Sequence, residues 1–96
     1  MTFVSNKIFL LVVIFAANLF SQNTLEQQFD FAKKILNQEK YYDAITELKR
    51  LQFFDKQNVF SFQSNILIGK SYKAGAKFDE AVKYLTLAEI NAKSDE

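Results

Sequence analysis

A short pattern of residues occurs twice in this chain, and this repeat constrains the fold more than any other feature. The segment 40–45, Lys-Tyr-Tyr-Asp-Ala-Ile, returns as the segment 77–82, Lys-Phe-Asp-Glu-Ala-Val, displaced by 37 residues. Upstream, residues 31–33 match residues 68–70 at the same displacement. A fixed repeat of this length predicts stacked supersecondary units, an architecture that serves as a binding scaffold.

Hydrophobic periodicity predicts an all-α fold with four helices after the N-terminal segment. Apolar residues recur every three or four positions over several turns, period-two alternation is lacking, and the chain has no Pro. Gly75 is expected to end the third helix with a positive φ, which Gly adopts at little cost. The last helix is expected to bury Phe78, Ala81, Val82, Leu85 and Ala88. The helices are expected at about 25–38, 42–54, 59–74 and 79–92.

Small residues at matched positions predict that the helices pair closely. Gly69 and Ala81 lie twelve positions apart, and so do Ala32 and Ala44. Small side chains let two antiparallel helices approach, while larger neighbours fill the space beside them. The residues expected to make this packing are Ala32, Ala44, Gly69, Tyr72, Phe78, Ala81 and Leu85.

This spacing resembles the tetratricopeptide repeat family. In that family a small residue of the first helix is followed three positions later by an aromatic, as with Gly69 and Tyr72. A second small residue early in the next helix is followed four positions later by a large apolar residue, as with Ala81 and Leu85. The resemblance implies two antiparallel helix hairpins that stack as a short α-solenoid.

The resemblance implies a single domain that spans residues 22–96. Repeat 1 is expected at about 25–55 and repeat 2 at about 59–92, although the usual family period is about 34 residues. Because the spacing within each helix pair stays at twelve, the surplus residues are expected between the units, in residues 53–60. The Pro that usually follows the second helix is missing.

The N-terminal residues 1–21 have the pattern of a secretory signal peptide. Lys7 precedes a continuous apolar run, and Ser21 places a small residue at the expected cleavage site before Gln22. The apolar stretch 8–20 is shorter than the roughly 20 residues that cross a bilayer. We therefore expect an extracytoplasmic protein, periplasmic or secreted. The alternative is a membrane-tethered module that keeps this segment.

Composition argues against several classes of function. The chain has no Cys and no His, which removes the usual metal ligands and every Ser-His or Cys-His nucleophile. Without Lys7, the chain has eleven basic and eleven acidic side chains, so its net charge is zero. Because nucleic acid binding needs an excess of clustered Lys and Arg, we expect none here. Carboxylates such as Asp43 and Glu47 belong to polar helix faces. We expect no enzyme, no cofactor and no metal.

Lysines on the first helix of each unit suggest a binding groove. Lys33 and Lys70 are equivalent in the repeat, and the resemblance implies that this layer of helices lines a concave surface. The hypothesis is a groove that receives an acidic or carboxyl-terminal peptide. The alternative is that these lysines are simply solvated. The family's carboxylate clamp needs an Asn that is not found at the matching positions. The candidate groove residues are Phe29, Lys33, Ile66, Lys70 and Lys73.

Two apolar features have no assigned partner in the sequence. The connection between the units is flanked by the aromatic residues Phe53, Phe54, Phe60 and Phe62. We interpret them as a hydrophobic plug that sets the angle between the units. The alternative is an exposed patch that binds a partner.

The last helix also shows the apolar residues Val82, Leu85, Leu87 and Ile90, with nothing after it to cover them. Either the chain associates with itself through this helix, or it binds another protein, or it is the first part of a longer repeat protein. The sequence thus predicts an exported scaffold for an unidentified protein or peptide.

Overall fold

The computed structural model describes residues 24–94, and these residues form four α-helices and no strand. The all-α prediction is confirmed for these residues, and the predicted end of the first helix and both limits of the other three are within two residues of the observed ones. The expected signal peptide, residues 1–21, lies outside the described residues. The described part of the first helix, α1, covers 24–37; α2 is Tyr41–Phe54, α3 is Ser61–Ala74 and α4 is Phe78–Ser94.

Helix α3 runs antiparallel to both α2 and α4. The Tyr72 ring of α3 lies 5.7 Å from the Tyr84 ring of α4, centroid to centroid. Further along the same helix pair, Asn65 donates a hydrogen bond to Asn91 at 2.8 Å. A later residue of α4 thus contacts an earlier residue of α3, as expected for antiparallel helices. The same holds for α2 and α3, where Lys49 contacts Tyr72 and Gln52 contacts Asn65.

The hydrophobic core lies where α1, α2 and α3 meet. Leu48 and Leu51 of α2 have no exposed surface, and neither does Ile68 of α3. Burial of a side chain of this size stabilises the fold by about 1.5–3 kcal/mol. The residues that form the cluster are Phe29, Ala32, Ile45, Leu48, Leu51 and Ile68.

The turns after α1 and α3 have the same backbone structure. Glu39 has φ 62° and Ala76 has φ 60°, and these two residues are 37 positions apart. The sequence repeat is therefore also a repeat of backbone conformation and hydrogen bonding. The matching bonds join the Lys40 amide to the Ile35 carbonyl at 3.3 Å and the Lys77 amide to the Tyr72 carbonyl at 2.8 Å.

Gly75 does not have the positive φ that the sequence predicts. Its φ is −85°, and the left-handed residue is the next one, Ala76. The amide of Lys77 bonds back to the last turn of α3, which places the left-handed conformation one residue later. A Cβ atom on Gly75 would lie 3.0 Å from the Tyr42 hydroxyl, so Gly75 allows α2 to approach the end of α3.

Asp55 organises the connection between the two helix pairs, residues 55–60. This loop has six residues, whereas the turns after α1 and α3 have three each, so the surplus lies within the predicted segment. The Asp55 carboxylate is buried and accepts hydrogen bonds from the amides of Val59 at 3.0 Å and Phe60 at 2.7 Å. The sequence analysis did not single out this residue.

Replacing Asp55 with Ala should lower the free energy of unfolding by about 1–3 kcal/mol, because two amides lose their acceptor. Urea unfolding followed by circular dichroism measures the change. Asp30→Ala is the control: Asp30 is exposed and pairs with Lys33 at 3.3 Å, and a surface pair contributes about 1 kcal/mol or less. Equal losses in the two variants would contradict the role given to Asp55.

The interpretation of the four phenylalanines as a plug is wrong for three of them. Phe53, Phe54 and Phe62 are exposed to solvent. Only Phe60 packs inward, with its ring centroid 5.1 Å from that of Phe29. The buried stripe of α2 continues from Leu51 to the next turn, where Asp55 follows, and positions 53 and 54 lie off that stripe.

Candidate functional site

The close approach of α3 to α4 depends on small residues. Gly69 and Ala81 are both buried, and a Cβ atom on Gly69 would lie 2.7 Å from Cγ and Cδ2 of Leu85. The same atom would lie 3.4 Å from the Ala81 carbonyl oxygen. In the first unit, the equivalent Ala32 and Ala44 have no exposed surface. Each pair of helices therefore has small, buried residues at matched positions.

The outer side of α4 is uncovered in the described part of the chain. We call Phe78, Val82 and Leu85 the edge stripe, because their spacing of four and three places them on one side of the helix. Val82 is 64% exposed and Leu85 is 36% exposed, which agrees with the expectation that nothing covers the last helix, whereas the expectation that this helix buries both residues is wrong. That prediction is wrong for Phe78 as well, and the buried residues of α4 are Ala81 and Ala88.

A comparison with α2 explains why the edge stripe is exposed. The equivalent residues 37 positions earlier are Tyr41, Ile45 and Leu48, of which Ile45 is 4% exposed and Leu48 has no exposed surface. Helix α2 contributes to a core that also contains residues of α1 and α3. Helix α4 packs mainly against α3. The two stripes are alike in sequence and differ in the number of helices around them.

Phe29 is part of the core and does not form an accessible groove floor. It is 7% exposed, lies beside Phe60, and has the Lys33 ammonium 4.9 Å from its ring centroid. Lys33 also pairs with Asp30 at 3.3 Å. Phe29 is covered because it joins the cluster with α2 and α3.

The other candidate groove residues lie on the outer side of α3. Ile66 is half-buried, while Lys70 and Lys73 are exposed. Their spacing of four and three places them on one side of the helix. Neither lysine takes part in the ion pairs recorded for residues 24–94. This side of α3 thus presents two cations next to an apolar side chain.

A row of buried polar residues on α3 was missed by the sequence analysis. Gln52 of α2 donates to Asn65 at 2.7 Å, and Asn65 donates in turn to Asn91 of α4 at 2.8 Å. Ser64 and Ser71 are fully buried on the same helix. Ser64, Ile68 and Ser71 are spaced by four and three residues, as expected for one face of a helix. The sequence prediction missed the two serines because it assigned only apolar residues to the core.

Lys49 of α2, Tyr72 of α3 and Tyr84 of α4 form a second polar cluster, which we call the lysine–tyrosine cluster. The Lys49 ammonium donates a hydrogen bond to the Tyr72 hydroxyl at 3.0 Å and lies 5.3 Å from the Tyr84 ring centroid. This hydrogen bond is the main cause that raises the pKa of Lys49, and partial burial opposes it. The Lys83 ammonium lies 5.8 Å from the Tyr84 ring.

Residues 24–94 contain no helix long and apolar enough to cross a membrane, and no group of three or more acidic side chains placed to hold a metal ion. Comparison with known proteins adds no relative. No family model matches the sequence, no curated protein matches it, and no solved structure matches its fold.

Proposed function

We propose that this chain is an exported, tetratricopeptide-like scaffold that binds a protein or peptide and catalyses no reaction. The observation that carries the proposal is the edge stripe of α4. Ile45 and Leu48 are buried in the first unit, whereas the equivalent Val82 and Leu85 of the second unit are exposed. Exposed apolar stripes of this kind are typical of surfaces that bind another protein.

The occupant that fits the edge stripe is another helical unit. Helix α3 packs against α2 and contributes Ile68 to the core beside Ile45 and Leu48. A further helix placed on α4 in the same way would cover Phe78, Val82 and Leu85. Such a helix belongs to a second copy of this chain, to a partner protein, or to a following repeat in a longer chain.

A second binding surface in this proposal is the outer side of α3. Lys70 and Lys73 supply positive charge and Ile66 supplies apolar area, which suits an acidic or carboxyl-terminal peptide. Lys33 on α1 contributes less, because Asp30 already neutralises part of its charge. Phe29 is no longer part of this surface, since it is buried.

The alternative function is a membrane-tethered module of the same kind that acts in envelope or outer-membrane assembly. The two proposed functions differ in whether the mature protein retains residues 1–21. The mass of the mature chain decides between the two, because a chain that begins at Gln22 has lost the tether.

The edge stripe is tested by a photo-crosslinking residue at position 82 of the full chain, in cells that express it. We expect an adduct of defined mass at position 82, because Val82 is 64% exposed on the stripe. Position 80 is the control: Glu80 is exposed on the same helix, and two residues correspond to about 200° of rotation. An adduct with the mass of two chains shows self-association, and any other mass shows a different partner. No adduct at position 82, or equal adducts at both positions, would contradict the proposal.

A further inference from the structure

The lysine–tyrosine cluster presents hydrogen-bond donors without matching acceptors. The Lys49 ammonium has three N–H donors: one is donated to Tyr72, and a hydrogen bond with Tyr84 also helps to raise the pKa of Lys49, which leaves one N–H over. The Tyr72 oxygen accepts in that bond, so its own hydrogen is free to donate elsewhere. Within residues 24–94 no acceptor is recorded for the hydroxyl hydrogen of either Tyr72 or Tyr84. The cluster therefore combines a positive charge with several unused donors.

No acidic side chain neutralises this charge in the described part of the chain. The three ion pairs recorded for residues 24–94 involve Lys33, Arg50 and Lys93, and none of them involves Lys49 or Lys83. Tyr72 and Tyr84 are half-buried, and Lys49 is exposed, so solvent and ligands can reach the donors. A second ammonium, that of Lys83, lies beside Tyr84.

We propose that Lys49, Tyr72 and Tyr84 form a binding site for a carboxylate of a protein partner. An ionised carboxylate is an acceptor only and offers about four lone-pair positions on its two oxygens. It can therefore accept from the ammonium and from both phenolic hydroxyls at once. Hydrogen bonds between charged groups are stronger than neutral ones, which makes this set of donors selective for an anion.

The geometry favours a carboxylate over a phosphate. Phosphate sites in proteins usually combine Arg side chains or the free amides of a helix N-terminus. Here the three donors are side chains from helix interiors, and the backbone amides of those turns are already bonded within the helices. Two of the three donors are neutral hydroxyls and none is an Arg, which suits a singly charged group; the Lys83 ammonium lies over the Tyr84 ring and is not one of the donors.

This site is separate from the surface of α3 that carries Lys70. Tyr72 and Lys70 are two residues apart, which turns them to nearly opposite sides of the helix. The inference therefore goes beyond the proposed groove and does not depend on it or on the edge stripe.

The test follows the ring signals of Tyr72 and Tyr84 by NMR in the full chain, labelled on tyrosine. The probe is an acetylated, amidated triglutamate peptide, and the uncharged triglutamine peptide serves as its control at constant ionic strength. We expect the glutamate peptide to shift both ring signals in a saturable way. Lys49→Met should weaken its binding about tenfold or more, because a charged hydrogen bond is lost. Lys70→Met, a matched change on the other side of α3, should leave binding unchanged.

Several results would overturn the site. Binding that is lost in Lys70→Met but kept in Lys49→Met would place the peptide on the groove surface instead. A response to inorganic phosphate and none to the glutamate peptide would show a different ligand. Tyr84→Phe keeps the ring and removes one donor. This variant tests the site even if Lys49→Met loses helicity. If Tyr84→Phe binds the peptide as tightly as the parent chain, the cluster only stabilises the packing of the three helices and binds no carboxylate.

Discussion

Replacing Leu48 with Ala should lower the free energy of unfolding by about 2–5 kcal/mol, the largest loss that we expect from one substitution. Leu48 has no exposed surface and lies in the cluster shared by α1, α2 and α3. Removing its outer carbons loses burial and leaves a cavity that the surrounding helices fill only in part. Urea unfolding followed by circular dichroism measures the loss.

The matched control is Leu85→Ala, which makes the same change 37 residues later. Leu85 is 36% exposed: it contacts α3 at Gly69, but no helix covers its outer side within residues 24–94. The truncated carbons are already partly in water, so we expect a loss of about 1 kcal/mol at low protein concentration. Similar losses for the two variants at low concentration would contradict the assignment of Leu85 to an open edge.

Replacing Gly69 with Val should lower the free energy of unfolding by about 1–3 kcal/mol through overpacking. Even a single Cβ atom at this position would lie 2.7 Å from Leu85 and 3.4 Å from the Ala81 carbonyl oxygen. The two further methyl groups of Val must push against α4, whose backbone cannot move without disturbing the contact at Ala81. Thermal and urea unfolding of the full chain measure the change.

Two companion variants isolate the cause of that loss. Gly69→Ala should be far milder, because the partly exposed Leu85 side chain can turn toward solvent and Ala favours a helix over Gly by about 1 kcal/mol. In the double variant Gly69→Val with Leu85→Ala, part of the stability should return, since the two residues are in contact. A Val at position 69 that is tolerated without loss would show that α3 and α4 lie further apart than described.

The helices and the repeated turn could be predicted because they depend on local sequence. Apolar periodicity sets each helix, and the repeated pattern around Ala44 and Ala81 predicts two units of the same build. The error at Gly75 shows the limit of residue-type rules. Gly is the usual left-handed residue after a helix, yet here Glu39 and Ala76 have that conformation. The alignment of these two positions was visible in the sequence, but neither is a residue that usually signals it.

The candidate site could be predicted only in part, because polar residues can be buried when they have partners. Asp55 and Asn65 look like surface residues in the sequence, but both are buried and hydrogen-bonded. The lysine–tyrosine cluster joins three helices, so no local pattern reveals it. Conversely, Phe29 was counted as a groove residue, although its ring fills the core beside Phe60.

The sequence alone determined that the described part of this protein is helical, that it repeats at 37 residues, and, to within two residues, where α2, α3 and α4 begin and end. The sequence suggested that the last helix is left uncovered, but only the tertiary structure decided how far each side chain of the two similar stripes is exposed. Ile45 and Val82 occupy equivalent positions and have similar side chains, yet one is 4% exposed and the other 64%. The reason is that burial depends on how many helices surround a side chain, whereas helix formation depends on the residues of the helix itself.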